Sequence, residues 1–198
     1  NLRVGTGITF DGATGNFNAM GIGTVRGAFN ATGTITATSV TATTYTGITT
    51  TSLPAGTVLQ AVNAVHTSSS ANTTATYADT GLTASITISA NSKVLIMCVQ
   101  HLDVERSSST SARCAVKLLR GSTDIFAPSN SKNIGIEGAS SGMVMFLPLH
   151  FSFLDTGAST GSNTYKIQGR VTSASDSSRV RFQDDSNPST MTLLEIAG

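Results

Sequence analysis

The stretch 143–154 constrains the fold of this chain more than any other. Met143, Met145, Leu147, Leu149, Phe151 and Phe153 fall at alternate positions, the period of a β-strand, so they line one face. Val144, Phe146 and Leu154 add apolar mass to the opposite face. A strand written this way has to be covered on both sides. Residues 93–104 repeat the pattern in their first half: Val94, Ile96 and Cys98 face one way, Leu95, Met97 and Val99 the other. A two-layer sandwich covers only one face of each sheet, so the second face is expected to meet another subunit. Phe146, Met97 and Val99 are the candidates for that contact. Pro148 removes an N–H from the long strand and predicts a bulge or an edge position.

Other segments alternate more simply. Leu82, Ala84, Ile86 and Ile88 share a face, as do Tyr165, Ile167, Gly169 and Val171 opposite Lys166, Gln168 and Arg170. Strands are expected at 57–66, 82–88, 93–104, 113–120, 123–127, 143–154, 164–172, 179–183 and 190–197, separated by Ser/Thr/Asn/Gly loops. That count suits an all-β, jelly-roll-like sandwich. Composition agrees, because 39% of the 198 residues are apolar, enough for a core, and the surplus of Ser and Thr with 19 Gly and no Trp favours strands and turns. Charged side chains make up only 12% and the net charge is +1, so there is no basic surface for a phosphate backbone and nucleic acid is not an expected partner. No apolar run approaches the length of a bilayer span, so membrane insertion is not expected. No signal peptide is expected either, as no charged segment precedes an apolar one at the N-terminus.

Residues 1–53 are built differently. Their only charged side chains are Arg3, Asp11 and Arg26, and their pattern repeats: GNFNAMG (15–21) returns as GAFNATG (27–33), and ITATS (35–39), VTATT (40–44) and YTGIT (45–49) form a five-residue unit led by Ile35, Val40 and Tyr45. Repetition of this kind marks an elongated, stacked architecture. Five is odd, so in one flat strand successive lead residues point to opposite faces and neither face is continuously apolar. Three chains winding about a common axis bring the same residues to the centre. Ile35, Val40 and Tyr45 are therefore the expected trimer core of a β stalk. The alternative, a flexible Thr/Gly linker, has no need of such residues at fixed intervals. Pro54 and Gly56 in LPAG (53–56) punctuate the change, giving a stalk over 1–53 and a head over 54–198.

The side chains that carry chemistry are sparse. Cys98 and Cys114 are too few for a disulfide scaffold. In a simple hairpin turning near Ser109 they are offset by about six residues, roughly 20 Å along the strand, against the ~7 Å between α-carbons that a disulfide tolerates. Both read as reduced core residues. His66, His101 and His150 lack metal-site spacing, and His101-x-Asp103-x-Glu105 reads as a solvated strand face. The run Asp184-Asp185-Ser186-Asn187 reads as a turn rather than a calcium loop. No metal or cofactor is expected. There is no Gly-x-Ser-x-Gly elbow, phosphate-binding loop or His-Glu-x-x-His helix. Nor is there the paired-acid groove of a glycosidase, so the chain is expected not to be an enzyme.

The runs LPAGTVLQAV (53–62), YADTGLTASITI (77–88), KVLIMCV (93–99), VKLLRGSTDI (116–125), TYKIQGRV (164–171) and TLLEIAG (192–198) resemble the C-terminal module of tail-fibre and other virion proteins of marine and freshwater phages. The segment before them is similar to the repetitive stalks of those fibres. The resemblance covers most of the chain. It implies a homotrimeric virion fibre with a jelly-roll head similar to the C1q and tumour-necrosis-factor heads, joined to other virion proteins through its N-terminal side. A tail fibre that attaches to the host and a capsid-mounted fibre or decoration protein both stay open, with a secreted C1q-like or lectin module as a third reading. Recognition then falls to loops. With strands running alternately away from and toward the stalk, 67–80, 105–112, 128–142 and 173–178 lie at the far end, and 89–92, 121–122, 155–163 and 184–189 at the stalk side. Arg106, Ser109, Asn130, Lys132 and Asn133 are the candidates for touching a host surface glycan or protein.

Overall fold

The computed structural model describes residues 8–11, 16–19, 53–106, 111–127, 134–137, 142–172 and 178–198. The chain divides into two compact units, Asn1–Tyr45 and Thr46–Gly198. In the first, the described part is an antiparallel pair of strands, β1 (Ile8–Asp11) and β2 (Asn16–Ala19), with Phe10 opposite Phe17. Ile35, Val40 and Tyr45 lie outside the described residues.

Alternating side chains build the second unit from strands β3 (Val58–His66), β4 (Ser70–Asn72), β5 (Ala78–Ile88), β6 (Lys93–Arg106), β7 (Ser111–Arg120), β8 (Thr123–Phe126), β9 (Ile134–Glu137), β10 (Met143–Asp155), β11 (Gly161–Val171), β12 (Ser178–Phe182) and β13 (Ser189–Ile196). Pairing registers fix their arrangement. β10 occupies one edge of β6 from Val94 to Arg106. β12 pairs with β6 at 102–106 and β13 pairs with it at 93–99, so the two lie end to end along the other edge. β4 pairs with β12 and β3 with β13, which makes them a second interrupted strand beyond. The first sheet therefore runs β3/β4, β12/β13, β6, β10. The second runs β5, β11, β7, with β8 and β9 end to end on the free edge of β7. Counting each interrupted strand once, four positions face four, and the chain passes between the layers in the manner of a jelly roll.

Between the sheets lies one apolar core. The expected inward rows are buried in it: Leu82, Ala84, Ile86 and Ile88 from β5, Val94, Ile96 and Cys98 from β6, and Tyr165, Ile167 and Val171 from β11. Cys98 and Cys114 are both free and buried, and burial pushes each thiol up to about 12, which leaves it protonated and unreactive at neutral pH. They do not stand on a hairpin. β6 and β7 belong to opposite sheets, so the offset argument gives way to a crossing between layers.

Three loop expectations are corrected. Residues 67–80 and 128–142 contain the short strands β4 and β9. The connection after β12 does not reverse the chain, since β12 and β13 are both antiparallel to β6. Instead Gln183, Asp185 and Ser186 adopt left-handed φ values of 52°, 53° and 62°, which step the backbone out of the ladder and return it in the same direction. Residues 184–189 therefore lie beside the middle of β6 rather than at an end. Pro148 sits on the edge strand β10, one of the two places its missing N–H allows.

Gly169 shows how closely the layers approach. A Cβ built there falls 2.2 Å from the ring of Phe182, which enters the core from β12 of the opposite sheet and is itself buried. A Gly169→Ala variant is expected to lose about 1–3 kcal/mol of stability through overpacking. Denaturant unfolding checks it, and an unchanged midpoint would mean the ring has room to withdraw.

Candidate assembly face

Register determines what the first sheet shows to the outside. With Val94, Ile96, Cys98, Leu102 and Val104 of β6 turned into the core, Leu95, Met97, Val99, His101, Asp103 and Glu105 point away from it. Their partners on β10 are Leu154, Ser152, His150, Pro148, Phe146 and Val144. Thr190, Thr192 and Leu194 of β13 continue the face, followed by Val65, Asn63 and Ala61 of β3. Phe146 is 67% exposed, Val65 58%, Leu154 45% and Met97 41%. The three residues proposed from sequence for a head interface, Phe146, Met97 and Val99, thus share one outer face. Near its centre is a depression of about 370 Å³ bordered by Met97, Val99, His150, Ser152, Thr190 and Thr192.

β10 is apolar on its inner side as well, yet Met145, Leu147, Leu149, Phe151 and Phe153 are only half-buried. As the edge strand it is covered from one flank. Phe126 of β8 closes part of the gap, its ring stacked 5.6 Å from Phe151 and tilted 5.7 Å from Phe153. Phe126 itself remains 40% exposed.

The outer face of the second sheet is written in the opposite character. Lys117 Nζ donates to both oxygens of Asp124 at 2.8 and 3.0 Å, and Lys166 Nζ and Gln168 Nε2 converge on Asp79. Tyr77 lies beneath two cations, with Lys117 Nζ 4.4 Å and the Arg170 guanidinium 4.7 Å from its ring centre. This face is made for water.

At one end of the apolar face the sequence places a charged group whose assembly only the fold reveals. Arg181, on β12 opposite Asp103, reaches three carboxylates: Nη1 lies 2.7 Å from Asp184 Oδ2, and Nη2 lies 3.4 Å from Asp103 Oδ2 and 3.8 Å from Glu105 Oε2. Arg179 pairs with Glu105. The row His101-x-Asp103-x-Glu105 does face one way as expected, but Asp103 and Glu105 are engaged by arginines. Asp184–Ser186 is a short 3-10 turn that delivers Asp184 to Arg181. Burial, followed by the hydrogen bond and the charge of Asp184, pushes the Asp103 carboxyl up to about 6, against the opposing pull of Arg181. Among the described residues no three His, Cys, Asp or Glu side chains converge as a metal site. The sequence signal for this cluster was the alternation of Arg179 and Arg181 with the buried Val180 and Phe182.

The loop candidates fare differently. Arg106 is fully buried at the end of β6, on the core side of the ladder, and is corrected as a surface contact. Ser109, Asn130, Lys132 and Asn133 lie outside the described residues. Strand ends do gather as expected: Arg106 pairs with Met143 and Ser178, and Ser111 with Glu137, at the end opposite that where Gly56 N donates to Ala197 O at 2.8 Å. Residues 128–133, however, are flanked by Phe126 and Ile134, which pair with Leu118 and Cys114 of β7. β8 therefore ends, and β9 begins, part-way along the edge of β7.

The chain is similar in structure to a chain of the infectious bursal disease virus Gx strain, at 12% identity and a TM-score of 0.38, over 71% of this chain and 33% of that one. It is also similar to the infectious bursal disease virus VP2 subviral particle, at 13% identity and a TM-score of 0.34, over 71% and 38% respectively. The chain spans between 33% and 38% of the length of these neighbours. No protein-family model and no curated protein matches it.

Removing Arg181 leaves Asp103, Glu105 and Asp184 with a single arginine among them. Arg181→Ala is expected to cost about 2–4 kcal/mol near neutral pH, because carboxylates held close together lose their shared cation. The cost should shrink toward about pH 5 as Asp103 becomes neutral. Denaturant melts at the two pH values test this, and an equal loss at both would show that Arg181 acts by packing alone.

Proposed function

We propose that this chain is a non-catalytic structural virion protein, a homotrimeric fibre subunit whose jelly-roll head self-associates through the outer face of the β3/β4, β12/β13, β6, β10 sheet. One observation carries the self-association. A sheet already packed on the core carries Val65, Met97, Phe146 and Leu154 in the open on its other side, while its partner sheet shows solvent a lattice of ion pairs. Phe146 and Leu154 belong to one edge strand, β10, Met97 to the central strand β6 and Val65 to the opposite edge strand, β3. A second copy that sets its β10 edge against β6 and β3 of the first makes a head-to-tail contact, which closes into a ring when three copies complete the rotation. Phe146, Met97 and Val99 are the contact residues of this reading, and Ile35, Val40 and Tyr45 are the proposed trimer core of the stalk.

The resemblance of 53–62, 77–88, 93–99, 116–125, 164–171 and 192–198 to phage fibre modules supports the virion assignment. Host attachment is assigned to the end of the sandwich opposite the entry at Gly56; Ser109, Asn130, Lys132 and Asn133 are the candidate contacts and lie outside the described residues. The N-terminal side is left for other virion proteins.

Sedimentation tests the core of the proposal. The purified chain is expected to run as a trimer at micromolar concentration, and Phe146→Glu to associate more weakly while staying folded, since the position is exposed and the substitution leaves the core intact. Each fully buried Phe is worth about 1.5–3 kcal/mol, so one charge there is enough to break the head contact. A wild-type chain that stays monomeric overturns the reading. Antibody labelling of virions then distinguishes tail from capsid.

A further inference from the structure

We propose that self-association through this face is proton-linked: Asp103, held against Asp184 beside Phe146 by the left-handed turn after β12, takes up a proton as copies assemble, so the assembly tightens in acid. The inference rests on the self-association proposed above and adds its regulation.

Geometry puts the carboxylates at the contact. Asp103 is the register partner of Phe146, the most exposed large hydrophobic side chain of the described residues, and of Arg181 on the other flank. From β6 itself come Glu105 and His101, from β12 Arg179 and Arg181, and from the turn Asp184 and Asp185. β10 supplies the uncharged Phe146 and Val144, with His150 further along the face, and β4 supplies Ala71 opposite Arg181. Four carboxylates thus stand against two guanidiniums. Asp103 is only 5% exposed, and its Oδ2 receives no hydrogen bond; Arg181 Nη2 stands 3.4 Å away. The turn that holds Asp184 there puts three non-glycine residues in left-handed backbone, a conformation that persists only where the surroundings enforce it.

In the isolated head, water still reaches this cluster through Arg179, Arg181 and Asp184, whose side chains are 43%, 25% and 18% exposed. A neighbour laid over Phe146 removes that water. Drying a cluster with excess negative charge disfavours its ionised carboxylates, so the assembled state holds protons more tightly than the free one. By linkage, the state that binds more protons gains as pH falls. The carboxyl of Asp103, already raised to about 6 in the single copy, brings this response close to neutral pH. His101 and His150 also stand on this face, and burying a positive imidazole there would oppose association rather than favour it.

Sedimentation equilibrium of the full chain at about pH 8 and about pH 5 reads the effect. The wild-type dissociation constant is expected to be about tenfold lower in acid. Asp103→Asn should show the tight value at both pH values, Asp184→Asn should reduce the dependence, and His150→Gln should keep or enlarge it. Equal or weaker wild-type association in acid overturns the inference, as does a dependence that survives in Asp103→Asn or disappears in His150→Gln. Should Asp103→Asn fail to fold, Asp184→Asn and His150→Gln decide the matter. A wild-type trimer with a pH-independent constant removes only the proton linkage, whereas a wild-type monomer at both pH values removes the self-association with it.

Discussion

The ladder between β6 and β10 sets the terms for the rest of the head. It runs without a register shift from Asp155 opposite Val94 to Met143 opposite Arg106, and it takes up one whole edge of β6. Every other strand of that sheet must then attach through the remaining edge, which is why β12 and β13 share it end to end and β3 and β4 follow them. The same register fixes parity. Once Ile96 and Cys98 point into the core, Leu95, Met97 and Val99 have no choice but to point out, and a slip by one residue would exchange the two sets. Core and outer apolar face are two sides of one pairing, so neither can be altered in register without the other.

Alternation made the long strands legible from sequence. Each of the nine expected segments matches a strand; eight of them have five or more residues, long enough for a half-buried strand to repeat its pattern, and the four-residue β8 was marked off by the Gly121-Ser122 turn before it. β4 and β9, with three and four residues, are too short to show a period, and tertiary pairing alone identifies them. The direction of β13 was hidden for a different reason. A polar Asp-Asp-Ser-Asn run normally reverses a chain, and nothing local says that Gln183, Asp185 and Ser186 will instead step out and resume. Arg106 shows the limit of reading function from position. Its place at a strand end near a loop suggested exposure, while inward parity put it with Val104 and Leu102.

The candidate face was half legible. Apolar side chains on the outer positions of 93–99 and 143–154 raised the expectation of a second cover, and Phe146, Met97 and Val99 do point from the same outer face. The charged end of that face was not legible, since Asp103, Arg181 and Asp184 come from three segments whose proximity depends on β12 and β13 sharing an edge. Long-range clusters of this kind follow from topology, and topology was the part that pairwise alternation leaves open.

The two outer faces of the sandwich are best understood against each other. Exposed ion pairs such as Lys117 with Asp124 contribute only about 0–1 kcal/mol each, so the charged face adds little to the stability of the fold. Its effect is to stay hydrated: a neighbour laid on it would have to strip water from Lys117, Lys166, Arg170 and their partners without replacing those bonds. On the apolar face the balance reverses, because contact there returns ordered water to bulk at little polar cost, except at Asp103, Asp184 and their arginines. A head with one face of each kind has a direction, and under the proposed self-association the charged end beside Phe146 is where burial meets the most resistance among the described residues. Placing that resistance beside Phe146 rather than in the flat centre would let protonation adjust the strength of the proposed contact without creating or abolishing it.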